Sequence, residues 1–254
     1  MWFAACAAYL CPVKIALLGY GKMGLEIEKI AAQRHHQIVH TFTTKNPADL
    51  DRLKDADVVI EFTRPEACVQ NLKLCFAAGV PVVTGTTGWY AELAHVKAAC
   101  NQTHGALFTA TNFSLGVNIA YFMNRILAKI MAKQDGYSAG ITEIHHTRKL
   151  DAPSGTAISL AEGIIDNNPR FNGWELGENT AKSGALPIHA LRESDVPGTH
   201  VVQYNSDIDR IEIKHEAHNR KGFALGAVLA AEWLADKKGI FGMQDMLKFD
   251  ALIK

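Results

Sequence analysis

Apolar and polar positions follow two different rhythms along this chain. Val13 to Leu18 (VKIALL) is a short apolar run that ends in glycine, which predicts a strand buried in a parallel sheet. Helical spacing follows from about Lys22 to His35, with Leu25, Ile27, Ile30 and Ala31 as the expected inner positions. Ile38 to Thr43 predicts a second strand and Asp57 to Phe62 a third. A helix from about Glu66 to Ala78 leads into a strand in VPVVTGTTG, and one from about Ala91 to Gln102 leads into a strand in ALFTATNF. Strands alternating with helices over short links imply a Rossmann-type parallel α/β sheet.

The rhythm changes after Asn118. A long helix is expected over about Val117 to Lys133, a strand over Ile141 to His146 and a helix over about Thr156 to Asn167. Beyond Gly173, the stretches Ile188 to Arg192, Thr199 to Tyr204 and Arg210 to Ala217 alternate like strands, and VVQYNSDIDRIEIKH resembles a hairpin. The expected architecture is an α/β dinucleotide-binding domain over 13–115, completed by about 221–254. An α+β domain with a mixed or antiparallel sheet occupies 116–220. The Ala/Leu-rich helix from Phe223 to Ala235 is expected to fold back onto the first domain. Residues 1–12 are apolar without a preceding basic stretch, since Lys14 comes after them. They are expected to be an extra tail and not a signal peptide.

Composition narrows the function classes. Lys+Arg and Asp+Glu balance at 26 each, so nothing draws the chain toward nucleic acid or an anionic membrane. No segment approaches the ~18 apolar residues of a membrane span. The five cysteines (Cys6, Cys11, Cys68, Cys75 and Cys100) are odd in number and irregularly spaced, which argues against a disulfide framework or a zinc ribbon. Cys68, Cys75 and Cys100 are expected as buried thiols in a reducing, cytoplasmic compartment.

Candidate chemistry begins at Gly19-Tyr20-Gly21-Lys22-Met23-Gly24, a G-x-G-x-x-G between a predicted strand and a predicted helix. Gly19 allows the tight turn, Gly21 lets the backbone approach a pyrophosphate, and Gly24 allows close packing of helix on strand. The stretch Thr41 to Lys45 has no acid to bind a ribose hydroxyl. Thr43, Thr44 and Lys45 suit a hydroxyl or a 2′-phosphate instead, which leaves NADH or NADPH open as coenzyme. Gly85-Thr86-Thr87-Gly88 and Ala110-Thr111-Asn112-Phe113 lie at the carboxyl ends of strands, where open α/β sheets bind ligands.

The segment Glu143 to Ala157 (EIHHTRKLDAPSGTA) places His145, His146, Arg148 and Lys149 just before a helix start at Pro153 and Ser154. Cationic side chains and helix N–H groups together make an anion site with proton donors beside it. Metal ligation by the adjacent pair His145-His146 is disfavoured, because neighbours on a strand point to opposite faces. No metal is expected.

GYGKMG, EFTRPEA, GTTGW, ATNFSLGVN, EIHHTRKLDAPSGTA and HEAHNRKGFALGAVLAAEWL occur in the order and rough spacing of the 4-hydroxy-tetrahydrodipicolinate (dihydrodipicolinate) reductases, and the chain resembles that family from about Val13 to its end. HH-x-x-K-x-DAPSGTA is specific to the family, whereas the glycine motif is shared widely. The resemblance implies a Rossmann domain, a mixed-sheet substrate and oligomerisation domain, a homotetramer and reduction of a small dicarboxylate by NADH or NADPH. It implies His145 as catalytic residue and Lys149 as proton donor, with His146, Gly155 and Thr156 binding substrate. It assigns Gly19 to Gly24, Gly85 to Thr87, Ala110 to Phe113, Arg220 and Phe223 to the coenzyme. The missing acid after the second strand and the extra N-terminal residues depart from the family pattern. Two other readings compete: a different Rossmann reductase, such as an amino-acid dehydrogenase, which would not need the HH-x-x-K string, and a dinucleotide sensor without turnover.

Overall fold

The structure is a computed structural model that describes residues 11–177 and 184–252. Most of the expected N-terminal tail lies outside the described residues. The chain forms two compact units, 1–113 with 223–254 and 114–222.

The first unit is built on a parallel sheet. Its strands are β1 (Lys14–Leu18), β2 (Gln37–Phe42), β3 (Val58–Glu61), β4 (Val82–Thr84), β5 (Ala106–Thr109) and, much later in the chain, β11 (Gly239–Phe241). They lie in the order β11-β5-β4-β3-β1-β2. The helices between them are α1 (Lys22–Gln33), α2 (Leu50–Leu53), α3 (Pro65–Ala78) and α4 (Leu93–Gln102). β1, β3 and β4 are almost wholly apolar and buried, as a sheet covered on both faces requires. α1 buries Gly24, Ile27, Ile30 and Ala31, while Leu25 is 45% exposed. That corrects the expected inner position: a stripe at i, i+3, i+6 and i+7 leaves Leu25 on the flank. Cys68, Cys75 and Cys100 are buried free thiols, and burial raises the pKa of all three.

The helix α7 (Lys221–Leu234) contributes most of its length to this unit, followed by β11 and α8 (Met243–Leu247). Glu232 on α7 pairs with Arg34 and with His36 Nε2 at 2.7 Å, tying the returning segment to the end of α1.

The second unit holds α5 (Leu115–Met131), β6 (Ser138–His145), α6 (Gly155–Ile165), β7 (Gly173–Leu176), β8 (Ala185–Arg192), β9 (Thr199–Asn205) and β10 (Arg210–Glu216). Its five-stranded sheet runs β10-β9-β6-β8-β7. β9 and β10 form the expected hairpin, β6 pairs antiparallel with β9, and β6–β8 and β8–β7 pair parallel. The sheet is therefore mixed. Ile141, Ile188, Val202 and Tyr204 project from one face and pack against Ala128 and Met131 of α5 and Leu160 and Ile164 of α6. By register, the opposite face carries Thr142, Leu191, Val201, Gln203 and Lys214, which are half-buried or exposed. Among the described residues, no helix is long and apolar enough to cross a membrane.

Candidate active site

In the first unit the glycine motif turns the chain from β1 into α1. Gly19 has a φ of +93°, and a β-carbon there would lie 2.1 Å from the Phe62 carbonyl oxygen. A β-carbon on Gly24 would lie 2.4 Å from the Gly19 carbonyl oxygen. Gly21 differs, because nothing lies within 4 Å of the position its β-carbon would take. The open space is a cleft of about 720 Å³ that Gly19, Tyr20, Gly21, Thr43 and Thr44 help to line. Gly21 caps α1 without a side-chain hydrogen bond, and the first turn contains no acid. The first N–H groups of α1 are thus left for an anion, and the cradle fits a dinucleotide pyrophosphate. Tyr20 donates its hydroxyl to Glu28 on α1. Lys22 is exposed and Met23 half-buried in the first helical turn.

Thr43 to Asn46 forms a tight turn closed by reciprocal backbone bonds of 2.9 and 3.1 Å. Lys45 sits on that turn, exposed and outside the cleft lining, whereas Arg64 at the start of α3 lines it. Arg64 was missed in sequence because it belongs to neither the glycine motif nor the end of β2.

The loops after β3 and β4 are joined by a second residue that periodicity conceals. Glu61 is fully buried at the end of β3 and accepts hydrogen bonds from Thr63, Thr84 (2.6 Å) and Thr86 (3.0 Å). Thr86 also accepts from the Thr63 N–H at 2.8 Å. Thr86 is therefore buried in this network, while Thr87 is exposed and Gly85 packs against the Phe62 ring. After β5, Thr111 is exposed and Ala110 and Asn112 are half-buried. Phe113 is a core aromatic, 2% exposed, with its ring centroid 5.8 Å from Phe62 and 5.9 Å from Phe108. Phe223 is half-buried in the first unit, and Arg220 is exposed ahead of α7 in the second.

In the second unit β6 delivers Glu143 and His145 to the same face, two residues apart. Both are buried, and His145 Nδ1 is paired with Glu143 Oε2. Arg192, at the end of β8, holds Glu143 Oε1 through both terminal nitrogens at 3.1 Å. Burial pushes the Glu143 carboxyl up, but His145 and Arg192 outweigh it and bring it below the ordinary carboxylate range. His200 on β9 packs edge-on against His145, with ring centroids 5.1 Å apart, and shares a 2.9 Å hydrogen bond with Ser154. Burial and then the neighbouring His145 push its pKa down to about 3. Glu143, His145 and His200 bring ligand atoms within 4.8 Å of one another, a spacing a metal ion could use. The guanidinium already bound to Glu143 makes a second cation costly there.

Ser154 caps α6 by accepting from the Ala157 N–H at 3.2 Å. α6 has no acid in its first turn, and Gly155 is exposed with open space at its β-position. Thr156 shares a side-chain hydrogen bond with Tyr121 of α5, and burial raises the pKa of that hydroxyl despite the bond. Lys149 follows His146 in a turn and holds Asp151 with 2.8 and 2.7 Å bonds. His146 is half-buried just past the end of β6. Glu143 stood inside the motif, and Arg192 and His200 lay on predicted strands, yet nothing in their local sequence marked them out.

A parallel sheet with a glycine cradle for a pyrophosphate, in one chain with a mixed-sheet unit holding a carboxylate–histidine centre, defines a two-unit dinucleotide-dependent oxidoreductase. The family model described as dihydrodipicolinate reductase, N-terminus, matches residues 13–113, and the one described as dihydrodipicolinate reductase, C-terminus, matches residues 116–247. The chain belongs to the dihydrodipicolinate reductase family. It is 49% identical to a 4-hydroxy-tetrahydrodipicolinate reductase from Christiangramia forsetii, over 92% of this chain and 98% of that protein. It is 38% identical to one from Ralstonia nicotianae, over 77% of this chain and 75% of that protein. The same fold occurs in a dipicolinate-bound dihydrodipicolinate reductase from Paenisporosarcina sp. TG-14, at 23% identity, with a TM-score of 0.76 over 92% of this chain and 99% of that one.

Proposed function

We propose that the chain reduces 4-hydroxy-tetrahydrodipicolinate to tetrahydrodipicolinate with loss of water, using NADH or NADPH, in lysine and diaminopimelate biosynthesis. The observation that carries this reading is the match of both family domains, one after the other, over 13–113 and 116–247.

The coenzyme's nicotinamide supplies hydride when bound. Gly19 to Gly24, Thr43, Gly85 to Thr87, Ala110 to Asn112 and Arg220 are the residues assigned to hold it, and Arg64 joins them because it lines the cleft. Phe223 is assigned to the coenzyme with them, Phe113 would support these residues from behind, and Lys45 would reach a 2′-phosphate from its turn. A dicarboxylate substrate needs fixed positive charge. The start of α6 at Gly155 and Thr156, with His146 nearby in sequence, would take one carboxylate. Lys149 would hold the proton delivered to the electron-rich ring at its Nζ, four residues after His145 in sequence. The support for Lys149 is its ammonium, which Asp151 keeps ion-paired.

The exposed sheet face of the second unit suits self-association into a homotetramer. Charge balance and the absence of a membrane-length helix among the described residues favour a cytoplasmic protein without nucleic-acid partners.

The test is loss of reduced-coenzyme absorbance with freshly generated substrate, run with each coenzyme separately. Turnover is expected with both, with kcat/KM values within about a hundredfold (roughly 2.7 kcal/mol) of each other. Lys149→Ala should lower kcat about 10²–10⁴-fold with coenzyme affinity nearly intact. No turnover with either coenzyme would overturn the reading, and a wild-type rate in Lys149→Ala would remove that residue from it.

A further inference from the structure

Glu143 has no exposed surface, and its two oxygens face different partners. Oε1 accepts from both Arg192 nitrogens and from the Ser154 N–H at 3.3 Å, while Oε2 faces His145 Nδ1. One side chain thus joins β6, the end of β8 and the start of α6.

The chemistry of this contact is one-sided. Against the opposing effect of burial, His145 and then Arg192 hold its pKa down, so Glu143 is a carboxylate at neutral pH, and a carboxylate only accepts. The proton of a neutral His145 ring is drawn to Nδ1, so Nε2 keeps its lone pair. The far edge of the ring lies against Gly198, where a β-carbon would stand 2.9 Å from Nε2. Any larger residue would cover that nitrogen. His200 is held neutral and bonded to Ser154, so it does not compete for the Glu143 charge.

We propose that Glu143 is a positioning residue for the reduction: clamped by Arg192, it fixes the tautomer and orientation of His145 and ties that ring to the helix start that takes a substrate carboxylate. The proposal rests on the reading of His145 as catalytic. It makes a specific claim about Glu143→Gln. The amide oxygen of that variant would stay on Arg192, which can only donate, and its NH₂ would then face His145 Nδ1. The ring would be forced into the opposite tautomer, with the proton on Nε2.

Two-bond ¹H–¹⁵N NMR of the neutral His145 ring reads this directly. The wild-type enzyme should carry the proton on Nδ1 and Glu143→Gln on Nε2. Glu143→Gln should lose about 10²-fold in kcat while its coenzyme Kd stays within about twofold, a split that general unfolding would not produce. A wild-type ring protonated on Nε2 would overturn the proposal even if the variant failed to fold. A slow His145→Ala beside a full-rate Glu143→Gln would overturn the proposal alone. His145→Ala at the wild-type rate would remove the catalytic reading of His145 and this proposal with it.

Discussion

His200 shows how one buried side chain sets a pH limit. Its folded-state pKa is pushed down to about 3 from an ordinary value near 6.5, first by burial and then by His145. The unfolded chain gains a proton at this residue as pH falls through about 6.5, and the folded chain does not until about 3. Stability is therefore full above 6.5 and drains away across that window. Glu143 adds to the loss at lower pH. Its folded pKa lies below the ordinary 4.5, so its contribution is present above that value and disappears as pH falls through the folded pKa. His200→Gln keeps a polar partner for Ser154 but removes the titration. Its Tm should fall less than that of the wild type between pH 7 and pH 5, as read by thermal melts across that range. Equal slopes for the two proteins would show that His200 is not the group responsible.

At the scale of elements, α7 shows why a returning helix needs small residues. It buries Ala224, Gly226, Ala227, Val228, Ala230 and Ala231 along its length. A β-carbon on Gly226 would lie 1.7 Å from the Phe113 carbonyl oxygen, which is backbone and cannot turn aside. Ordinary overpacking of a core costs about 1–3 kcal/mol because side chains give way. Gly226→Ala should cost at least the upper part of that range, measured by urea denaturation of the purified protein, because the helix itself must move. Its expected loss exceeds that of Gly155→Ala, where the added methyl meets open space. Equal stability of the two variants would mean that α7 does not seat closely on the backbone at Phe113, past the end of β5.

For the whole molecule, the proposed homotetramer would use the half-buried to exposed face of the second sheet. Val201 lies near its middle, level with Thr142 on β6 and Lys214 on β10. A charge placed there would leave the folded unit intact and oppose burial against another copy. Val201→Arg should elute as a smaller species in light-scattering chromatography while keeping the wild-type circular dichroism spectrum. An unchanged mass would place the proposed tetramer contacts elsewhere.

Much of this protein is written locally. The two hydrophobic periods, the glycine motif after β1 and the string from Glu143 to Ala157 are short-range patterns, and each element's type follows from residues within a few positions of one another. That is why β1 to β5, α5, α6 and the β9–β10 hairpin were legible, along with the family. β7 and β11 were not, since strands of four and three residues are too short to show a period. Leu25 was misplaced because spacing fixes a stripe only to within its flank. The centre around His145 is different in kind. Arg192 reaches Glu143 across 49 residues and His200 reaches Ser154 across 46. Which strand neighbours β6, and in which register, decides whether those side chains meet, and pairing is a property of the folded sheet and not of any window of sequence. The sequence by itself determined the longer elements, the anion-binding helix starts and the kind of chemistry on offer. Only the tertiary structure decided that a buried carboxylate, a guanidinium and two imidazoles would share one site.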